Sequence, residues 1–402
     1  MQKTDINEKA LTRRVKQHVK AKEHEFFAIV QPGFEQIALQ ELLGAQIGHD
    51  HKVIEGGISF MAGLTDCYKC CLMMRSLSRL LMRLKSFRAE NFQRFHKSMA
   101  AIPWELFVCD GMNISFSIKA RKSRLYHTDR LKQEAIDAVS ERLNEFGLSV
   151  ATEDAMQTQS IYIRFDHDIC TVSLDTVGGF LYKRGEKTNV TDAPLRETLA
   201  AMILFEAKVK EYDIVFDPMC GSGTFSIEAA GVSAGALPGL GRSFIFERWP
   251  AFSEAAFKHL QESLVTENAS KSKSLEILAC DMDSRAIHAT SENFKAAVSG
   301  VQISAPLKKD FLKDEIELPK EKKCLIVLNP PYGTRLKTKG DIHSLYAKIG
   351  KRLATTYNEC GYAIIVPGPE VEKSFGLHYD RKIIFINGGI KVAVLFKDAF
   401  AQ

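Results

Sequence analysis

The chain has 402 residues, 45% of them hydrophobic and 26% charged, and a formal net charge of +5 at pH 7. This is the composition of an ordinary soluble globular protein with two or three domains. No stretch approaches the roughly 18 consecutive apolar residues of a membrane span, and the polar N-terminus lacks the apolar core of a secretory signal, so we expect a cytoplasmic protein without a membrane partner.

The positive charge is concentrated in one part of the chain. Residues 75 to 133 contain thirteen Lys and Arg against four Asp and Glu, so the rest of the chain carries a net charge of −4. This surplus predicts a polyanionic partner for the N-terminal half. Residues 1 to 25, with seven Lys and Arg against four acids, are predicted to form a basic tail or a loose amphipathic helix.

A small folded element is predicted from residue 26 to residue 64. An apolar run, Phe26 to Val30, leads through a Pro32-Gly33 turn into a helix from Glu35 to Leu43. The segment Val53 to Phe60, interrupted by two glycines, has the pattern of a hairpin or a bulged strand.

The clearest helix of the N-terminal half is predicted from Asp66 to Phe87. Its leucines and Met73 follow the spacing of one buried helix face. Arginines recur every four residues on the opposite side, and both a solvated face and an RNA surface remain open, since basic groups interleaved with aromatic rings suit phosphates and bases. The candidate RNA contacts are Arg75, Arg79, Arg83, Lys85, Arg121, Lys122 and Arg124.

An α+β unit of split βαβ type is predicted for the rest of the N-terminal half. Its strand from Met112 to Lys119 alternates apolar and polar residues, and a helix follows from Leu131 to Leu143. Two further runs, Ile161 to Phe165 and Thr171 to Leu174, are predicted to form a strand pair.

No metal site is predicted. Cys67, Cys70 and Cys71 form a cluster, but no second Cys or His pair follows at zinc-ligand spacing, and core packing is the favoured interpretation. The acidic triplet at residues 166 to 168 stands between two apolar runs and is interpreted as a hairpin turn.

An alternation of strands and helices begins after Leu174 and predicts a mostly parallel sheet with helices on both faces. A helix is predicted from Pro194 to Lys208, with Thr191 and Asp192 as capping candidates. The strand candidates are Ile214 to Phe216, Leu275 to Ala279, Leu325 to Leu328, Tyr362 to Val366 and Val392 to Phe396.

The strongest local motif is a glycine turn between a strand, YDIVF, and a helix, FSIEAA. Glycines let the backbone approach a ligand, and the start of the following helix offers free N–H groups. The turn lacks the Gly-Lys-Ser/Thr of nucleotide hydrolases, and an acid at the strand end favours S-adenosylmethionine (SAM), which carries an amino group, over a pyrophosphate. The candidate cofactor-binding residues are Asp217, Pro218, Cys220, Gly221, Ser222, Gly223 and Thr224.

Acidic residues farther along the chain complete the candidate cofactor site. Asp281 ends the next predicted strand and Asp283 follows it, where a carboxylate can accept both ribose hydroxyls of a nucleoside. The interval of 64 residues back to the acid of the glycine turn exceeds the roughly 20 of a dinucleotide site, so an insertion is predicted at 236 to 259. Asp310 and Phe311 are candidates for contacts with the adenine amine and ring.

The second strong motif is Asn329-Pro330-Pro331-Tyr332, directly after the apolar run CLIVL. An exocyclic amine is a poor nucleophile because its lone pair is delocalised into the base. The Asn329 side-chain oxygen and a carbonyl of the two prolines can accept the amine hydrogens, which turns the lone pair towards the methyl group of SAM. Tyr332 can stack on a base flipped out of its helix or loop. Catalysis then depends on orientation and desolvation, without an obligatory general base.

The two strong motifs resemble those of the amino-methylating class I SAM methyltransferases, as DPMCGSGTF and NPPYG. Wider stretches narrow the resemblance to the THUMP-domain RNA guanine-N2 methyltransferases, the bacterial 23S ribosomal RNA enzymes in particular: FFAIVQPGFEQIALQEL, CCLMMRSLSRLLMRL, LYKRGEKTNVTDAPLRETLAAMIL and ALPGLGRSFIFERW. The similarity covers residues 26 to 402.

The resemblance implies an α/β fold with three folded parts. These are an α+β ferredoxin-like element at 26 to 64, a THUMP RNA-binding domain at 65 to 175, and a Rossmann-like class I methyltransferase domain with a mostly parallel sheet at 176 to 402. It further implies that the glycine turn holds the methionine end of SAM, Asp281 the ribose, and Asp310 with Phe311 the adenine. The segment from Asn329 to Tyr332 would hold the guanine amine.

The chain departs from the family pattern at two places near the expected RNA-facing rim. Thr334 stands where members have Glu in NPPYGER, and LYKRGEK differs from the usual LHKRGYR at Tyr182, Glu186 and Lys187. These departures bear on the substrate more than on the reaction.

The predicted reaction is methylation of guanine N2 in 23S rRNA, with tRNA guanine-N2 methylation as the near alternative. Adenine-N6 methylation of DNA uses the same tetrapeptide, but the flanking regions resemble an RNA module. Methylation of a protein glutamine leaves the basic segment without a role, and RNA binding alone would predict loss of the glycine turn or of Asn329. The sequence leaves the oligomeric state open, with a monomer favoured.

Overall fold

A computed structural model describes residues 8–151, 158–185, 195–296, 304–332 and 339–399. They fold into two compact units. The first draws its described residues from Met1–Ile29, Leu42–Leu181 and Gly241–Gln261, and the second from Val30–Glu41, Tyr182–Leu240 and Glu262–Gln402. Among the described helices, none is long and apolar enough to cross a membrane.

The described part of the N-terminal segment is helical from Glu8 to Lys20. α1 (Glu8–Val15) continues into a π-helical turn at Lys16–Lys20. Val15 and Val19 are buried, and Arg14 pairs with a buried glutamate of the same unit at 2.6 Å. Two valines four positions apart give the described helix an apolar stripe.

The first unit is built around one mixed sheet. Its strands are β1 (His24–Ile29), β2 (His49–Ile54), β3 (Gly57–Ala62), β4 (Arg79–Arg88), β5 (Met112–Arg121), β6 (Val150–Ala151), β7 (Gln159–Asp166) and β8 (Ile169–Asp175). They are ordered β2-β3-β1-β4-β8-β7-β5-β6 and pair in antiparallel fashion, except that β5 pairs in parallel with β6 and β7. The predicted hairpins β2–β3 and β7–β8 are confirmed, the latter turning through His167 and Asp168 at positive φ.

Helices accompany this sheet. They are α3 (Leu64–Met73), α4 (Phe92–Ala100) and α5 (Thr128–Asn144), with 3₁₀ turns at Trp104–Leu106 and Ile245–Arg248. The helix α2 (Glu35–Gly44) is divided between the units, since its residues up to Glu41 belong to the second. The predicted helices at 35–43 and 131–143 are confirmed. The cysteines at 67, 70 and 71 are all buried in α3.

The single helix predicted from Asp66 to Phe87 is wrong in its second half. α3 ends at Met73, and the chain enters β4 at Arg79. The three residues after Arg79 are buried in succession. A strand inside a sheet can be buried on both faces, so its consecutive apolar residues also satisfy a helical spacing. The arginines at 75, 79 and 83 therefore do not share a helix face.

The second unit contains a sheet of seven strands. They are β9 (Ile214–Asp217), β10 (Glu276–Asp281), β11 (Leu307–Lys308), β12 (Cys324–Leu328), β13 (Gly361–Val366), β14 (Arg381–Asn387) and β15 (Ile390–Lys397). Their order is β11-β10-β9-β12-β13-β15-β14, and β15 is antiparallel to both of its neighbours while the other pairings are parallel. Every residue of β12 and β13 is buried, as expected for parallel strands covered on both faces. The predicted α/β fold with a mostly parallel sheet is confirmed.

The remaining helices are α6 (Glu197–Glu206), α7 (Thr224–Ser233), α8 (Glu254–Ala269), α9 (Ser284–Ala296), α10 (Lys339–Thr355) and α11 (Pro369–Phe375), with a 3₁₀ turn at Val209–Glu211. The described part of the helix predicted from Pro194 begins at Glu197. Its capping candidates, Thr191 and Asp192, lie outside the described residues.

The segment predicted as an insertion at 236 to 259 contributes largely to the first unit. The ring of Phe246 lies 4.5 Å from that of Tyr68, and Trp249 Nε1 donates a hydrogen bond of 2.8 Å to Gln159 Oε1. Residues 241–261 thus pack among side chains of the first unit, although the residues on either side along the chain belong to the second.

Candidate active site

The glycine turn lies between the carboxyl end of β9 and the start of α7. Gly221 and Gly223 have φ values of 56° and 78°, in the left-handed region that favours glycine. A Cβ atom at Gly223 would lie 2.9 Å from Thr290 Cγ2, so the turn also has no room for a side chain there. The backbone can therefore approach a ligand in front of the first turn of α7, where N–H groups are free of helical partners.

Two polar residues of α9 hold the turn from behind. Thr290 Oγ1 donates to the carbonyl oxygen of Gly221 at 2.7 Å, and Asn293 Nδ2 donates to that of Ser222 at 3.0 Å. Both side chains are buried. Sequence analysis missed them, although two polar residues three positions apart on one face of an otherwise amphipathic helix were a usable signal.

Asp281 joins the glycine turn to the next strand. Its Oδ2 accepts the N–H of Gly221 at 3.0 Å, and its Oδ1 accepts the N–H of Asp283 at 2.9 Å. The carboxylate of Asp283 instead accepts the N–H of Arg285 at 2.9 Å and pairs with that guanidinium at 3.0 Å. Asp281 thus belongs to the turn, whereas Asp283 caps α9.

Asp217 is buried beneath the turn. It is 1% exposed, and the Ser226 hydroxyl donates to its Oδ2 at 2.8 Å. Burial raises the pKa of its carboxyl to about 7, helped by the nearby charge of Asp281 and opposed by the Ser226 hydrogen bond. The Asp217 carboxyl thus supports the turn from inside through its hydrogen bond with Ser226 of α7.

This raised pKa predicts a pH dependence of stability. Between about pH 4 and pH 7 the unfolded chain carries the Asp217 charge and the folded chain does not, so the contribution of Asp217 to the free energy of unfolding is lost as the pH rises through this window, on the order of 4 kcal/mol for a pKa raised from 3.8 to about 7. In Asp217→Asn the loss is absent. In urea unfolding, the free energy of unfolding of the variant, relative to that of the parent protein, should therefore be higher at about pH 8 than at about pH 5. The same difference in free energy at both pH values would contradict burial of a neutral carboxyl.

The segment at Asp310 and Phe311 lies next to Asp281, since the Lys309 N–H donates to the Asp281 carbonyl at 3.1 Å. Asp310 Oδ1 accepts the Leu312 N–H at 3.0 Å. Phe311 is 2% exposed, and its ring stacks on Tyr357 with centroids 5.7 Å apart. Phe311 is thus mainly a core residue, and its sequence pattern did not distinguish core from ligand contact.

The Asn-Pro-Pro-Tyr segment begins directly after β12. Asn329 Oδ1 is buried and accepts no hydrogen bond from the described residues. Tyr332 is 8% exposed, and its hydroxyl oxygen accepts a hydrogen bond of 2.7 Å from Nδ2 of Asn387 at the end of β14. A buried acceptor without a partner costs roughly 1–3 kcal/mol, so its presence in a folded protein points to a ligand donor.

The topology brings these motifs to one edge of the sheet. β10, β9 and β12 are neighbours and run in parallel, so their carboxyl ends share that edge. Asp281, the glycine turn and Asn329 follow those three strand ends. Ligands of open α/β sheets bind outside the carboxyl ends of the strands.

The basic residues of the first unit fall into two groups. Arg75 is buried; Arg79 pairs with Asp175 and lies 4.1 Å from the Phe180 ring centroid. Arg83 pairs with a glutamate at 3.1 Å, and burial lowers its pKa. Lys85, Arg83 and Arg79 are all at least partly buried, and Lys85 Nζ donates to a backbone carbonyl at 3.3 Å. The exposed group consists of Arg121, Lys122 and Arg124.

Comparison with known families matches three parts of the chain. The RMKL-like methyltransferase domain (UPF0020) matches residues 184–394, the RlmL ferredoxin-like domain residues 25–81, and the THUMP domain residues 89–175. Similar curated proteins include two ribosomal RNA large subunit methyltransferases K/L. That of Syntrophotalea carbinolica is 31% identical over 94% of this chain, and that of Cellvibrio japonicus is 30% identical over 94%. The chain spans about half the length of these relatives, 54% and 52%.

Solved structures of similar fold include SMU.472, crystallised in complex with SAH. It is 26% identical, with a TM-score of 0.81 over 95% of this chain and 99% of that one. A possible methylase from Clostridium difficile 630 is 25% identical, with a TM-score of 0.82 over 95% and 99% of the two chains. TrmN from Thermus thermophilus, at 15% identity and a TM-score of 0.66 over 92% and 98%, shares the fold.

Proposed function

Because the chain belongs to the RMKL-like methyltransferase family (UPF0020), we propose that it transfers a methyl group from SAM to the exocyclic N2 amine of a guanine in 23S ribosomal RNA. The observation that carries this proposal concerns Asn329 Oδ1, at the sheet edge that also holds the glycine turn: this oxygen is buried and has no hydrogen-bond donor among the residues that the structure describes. An amine with two hydrogens supplies the hydrogen-bond donor that this acceptor lacks.

The residues present fit SAM. The glycine turn can face the methionine end, where α7 begins and where a cation favours the ionised form of Asp217. The Asp281 carboxylate, already positioned by two backbone N–H groups, can accept the ribose hydroxyls. Met282, which follows it and is 66% exposed, offers an apolar surface for adenine.

The chain's own residues then act by orientation. SAM, when bound, would supply an electrophilic methyl group, whose bond to the sulfonium sulfur breaks on transfer and leaves SAH as a neutral thioether. Asn329 Oδ1 and the backbone carbonyl of the proline segment accept the two amine hydrogens, so the nitrogen lone pair turns out of conjugation and towards that methyl group. Tyr332 packs on the flipped guanine and keeps water away. The amine loses a proton to solvent after transfer, because its acidity rises once the nitrogen carries the methyl group.

Two observations support RNA as the substrate. A THUMP domain matches residues 89–175, and the similar curated proteins are ribosomal RNA large subunit methyltransferases. The proposed domain order is ferredoxin-like element, THUMP domain and methyltransferase domain. The order of the three family matches along the chain agrees with this proposal.

Within the first unit, Arg121, Lys122 and Arg124 are the better proposed phosphate contacts, because their side chains are exposed whereas those of Arg79 and Arg83 are partly buried against their partners. Arg124 pairs with Glu90 at 3.1 Å but stays exposed to solvent. Replacing the three by alanine should weaken RNA binding and flatten its dependence on salt, by about 0.7 to 0.9 in log–log slope for each phosphate that the variant leaves unneutralised. Filter binding at several salt concentrations measures this. The matched control removes three other exposed lysines of the first unit: Lys20, Lys22 and Lys52. Equal slopes for the two triple variants would contradict the assignment.

The experiment that tests the function is methyl transfer from labelled SAM to unmodified 23S rRNA and tRNA transcripts, with DNA and protein alongside. Digestion to nucleosides then identifies the product. N2-methylguanosine in the 23S transcript is the expected result. N2-methylguanosine in tRNA alone would change the substrate, and N6-methyladenine in DNA or label on protein would overturn the RNA assignment.

A further inference from the structure

A hairpin from another part of the second unit reaches the Asn-Pro-Pro-Tyr segment. β14 ends at Asn387, Gly388 and Gly389 turn the chain at φ values of 57° and 81°, and β15 begins at Ile390. Asn387 is paired with Ile390 across the ladder. Its backbone is therefore held by the sheet, while its side chain is available for a contact beyond it.

That contact is made with the tyrosine of the motif. Asn387 Nδ2 donates a hydrogen bond of 2.7 Å to Tyr332 Oη, across 55 residues of sequence. This is a short, direct side-chain bond at the carboxyl edge of the sheet. Nothing in the local sequence pattern around Asn387 requires it for the turn, since the two glycines supply the positive φ values.

We propose that Asn387 is a positioning residue for Tyr332, and through it for the flipped base; the inference rests on the proposed function of this pocket. A tyrosine hydroxyl oxygen lies on the axis about which the ring turns, so a hydrogen bond to it fixes the direction of that axis. Asn387 makes this bond at the hydroxyl, at the end of the ring opposite to the backbone anchor beside Pro331. The position of the ring on which the base must stack is thereby restricted before the base arrives.

The hairpin is rigid enough for this role. The buried ring of Phe385, two residues before Asn387, packs edge-on against Phe34 with centroids 5.4 Å apart. The side chain of Gln31 donates to the Ile386 carbonyl at 3.1 Å. Strand β14 is thus held by these contacts on one edge and by β15 on the other. The hydrogen bond from Asn387, its last residue, then restrains Tyr332.

The test is a double-mutant cycle on methyl transfer to the RNA substrate. Asn387→Ala should lower kcat by about five- to tenfold, as expected for loss of one orienting hydrogen bond. The KM for RNA and the Kd for SAM should stay within about twofold, since phosphate contacts and the glycine turn are untouched. Tyr332→Phe, which keeps the ring and removes the hydroxyl, should lower kcat to a similar extent, and the double variant should be no slower than either single one.

Lys382→Ala is the matched control. It removes another side-chain contact of β14, the one from Lys382 to Glu372, without touching Tyr332 or the contacts of Asn387, and it should retain the parental kcat. If Asn387→Ala has no effect on kcat, or lowers it equally in the Tyr332→Phe background, Asn387 does not act through the tyrosine hydroxyl and the proposal is overturned.

Failure of the proposed function would look different. If the unmodified chain methylates no RNA, the four proteins of the cycle are compared by urea unfolding: the parent, Asn387→Ala, Tyr332→Phe and the double variant. Non-additive losses of stability for the Asn387 and Tyr332 substitutions would support the tether, and additive losses would overturn it.

Discussion

Asn329→Ala is expected to reduce kcat for methyl transfer by about a hundredfold or more, while SAM affinity stays within about twofold. The substitution removes one of the two acceptors that orient the amine, and deleting a single preorganised polar group at a reacting centre has effects of about this size. The glycine turn and Asp281 do not contact Asn329 among the described hydrogen bonds, so cofactor binding should be spared.

The same substitution should leave folding intact or improve it. Asn329 Oδ1 is buried without a hydrogen-bond donor among the described residues, a situation that costs roughly 1–3 kcal/mol. Removing it relieves that cost and leaves a small cavity. Single-turnover assays, calorimetric titration with SAM and urea unfolding together separate these effects.

Asn329→Asp is the informative companion variant. It keeps an acceptor oxygen at the same position and should retain more activity than the alanine variant. Full activity of Asn329→Ala would contradict the proposal that this side chain orients the amine. Loss of SAM binding together with activity would show that the substitution disrupts the whole site.

Asp281→Ala is expected to weaken SAM binding by about thirtyfold or more. The loss combines charge-assisted hydrogen bonds to the ribose, roughly 1.5–3 kcal/mol each, with release of the Gly221 N–H that the carboxylate accepts at 3.0 Å. With SAM at saturating concentration, kcat should recover most of its parental value. Calorimetric titration with SAM and SAH measures the affinity.

Asp283→Ala is the control, because that carboxylate is engaged with Arg285 and caps α9. We expect less than about fivefold loss of SAM affinity for it. To separate ribose binding from support of the turn, SAH is compared with its 2′,3′-dideoxy analogue. The analogue should bind more weakly than SAH to the parent protein and about equally to Asp281→Ala. An undiminished preference for SAH in the variant would contradict the ribose role.

The second unit shows how far pattern alone can go. Runs such as CLIVL and GYAIIV are too short and too apolar for surface helices, and they alternate with helices, so a parallel sheet was the consistent prediction. Parallel strands place all their carboxyl ends together, and so the glycine turn, Asp281 and Asn329 could be assigned to one edge from the sequence.

The first unit shows where pattern fails. The helix predicted through Arg79 and Arg83 became a central strand, because burial on both faces of a sheet produces the same run of apolar residues as one face of a helix. The partners of Arg79, an aspartate far along the chain and the ring of Phe180, arise only from the tertiary packing. The sequence does not show these intramolecular partners, and so it could not separate paired arginines from arginines available to RNA.

The chain's own residues therefore determined the fold class of the second unit and the chemistry of its two motifs, because both depend on local order along the sequence. Only the tertiary structure decided which side chains support them. Thr290 and Asn293 reach the glycine turn from α9, and Asn387 reaches Tyr332 from β14, through contacts between segments 55 or more residues apart. Such contacts depend on how strands and helices pack, and no local spacing encodes them.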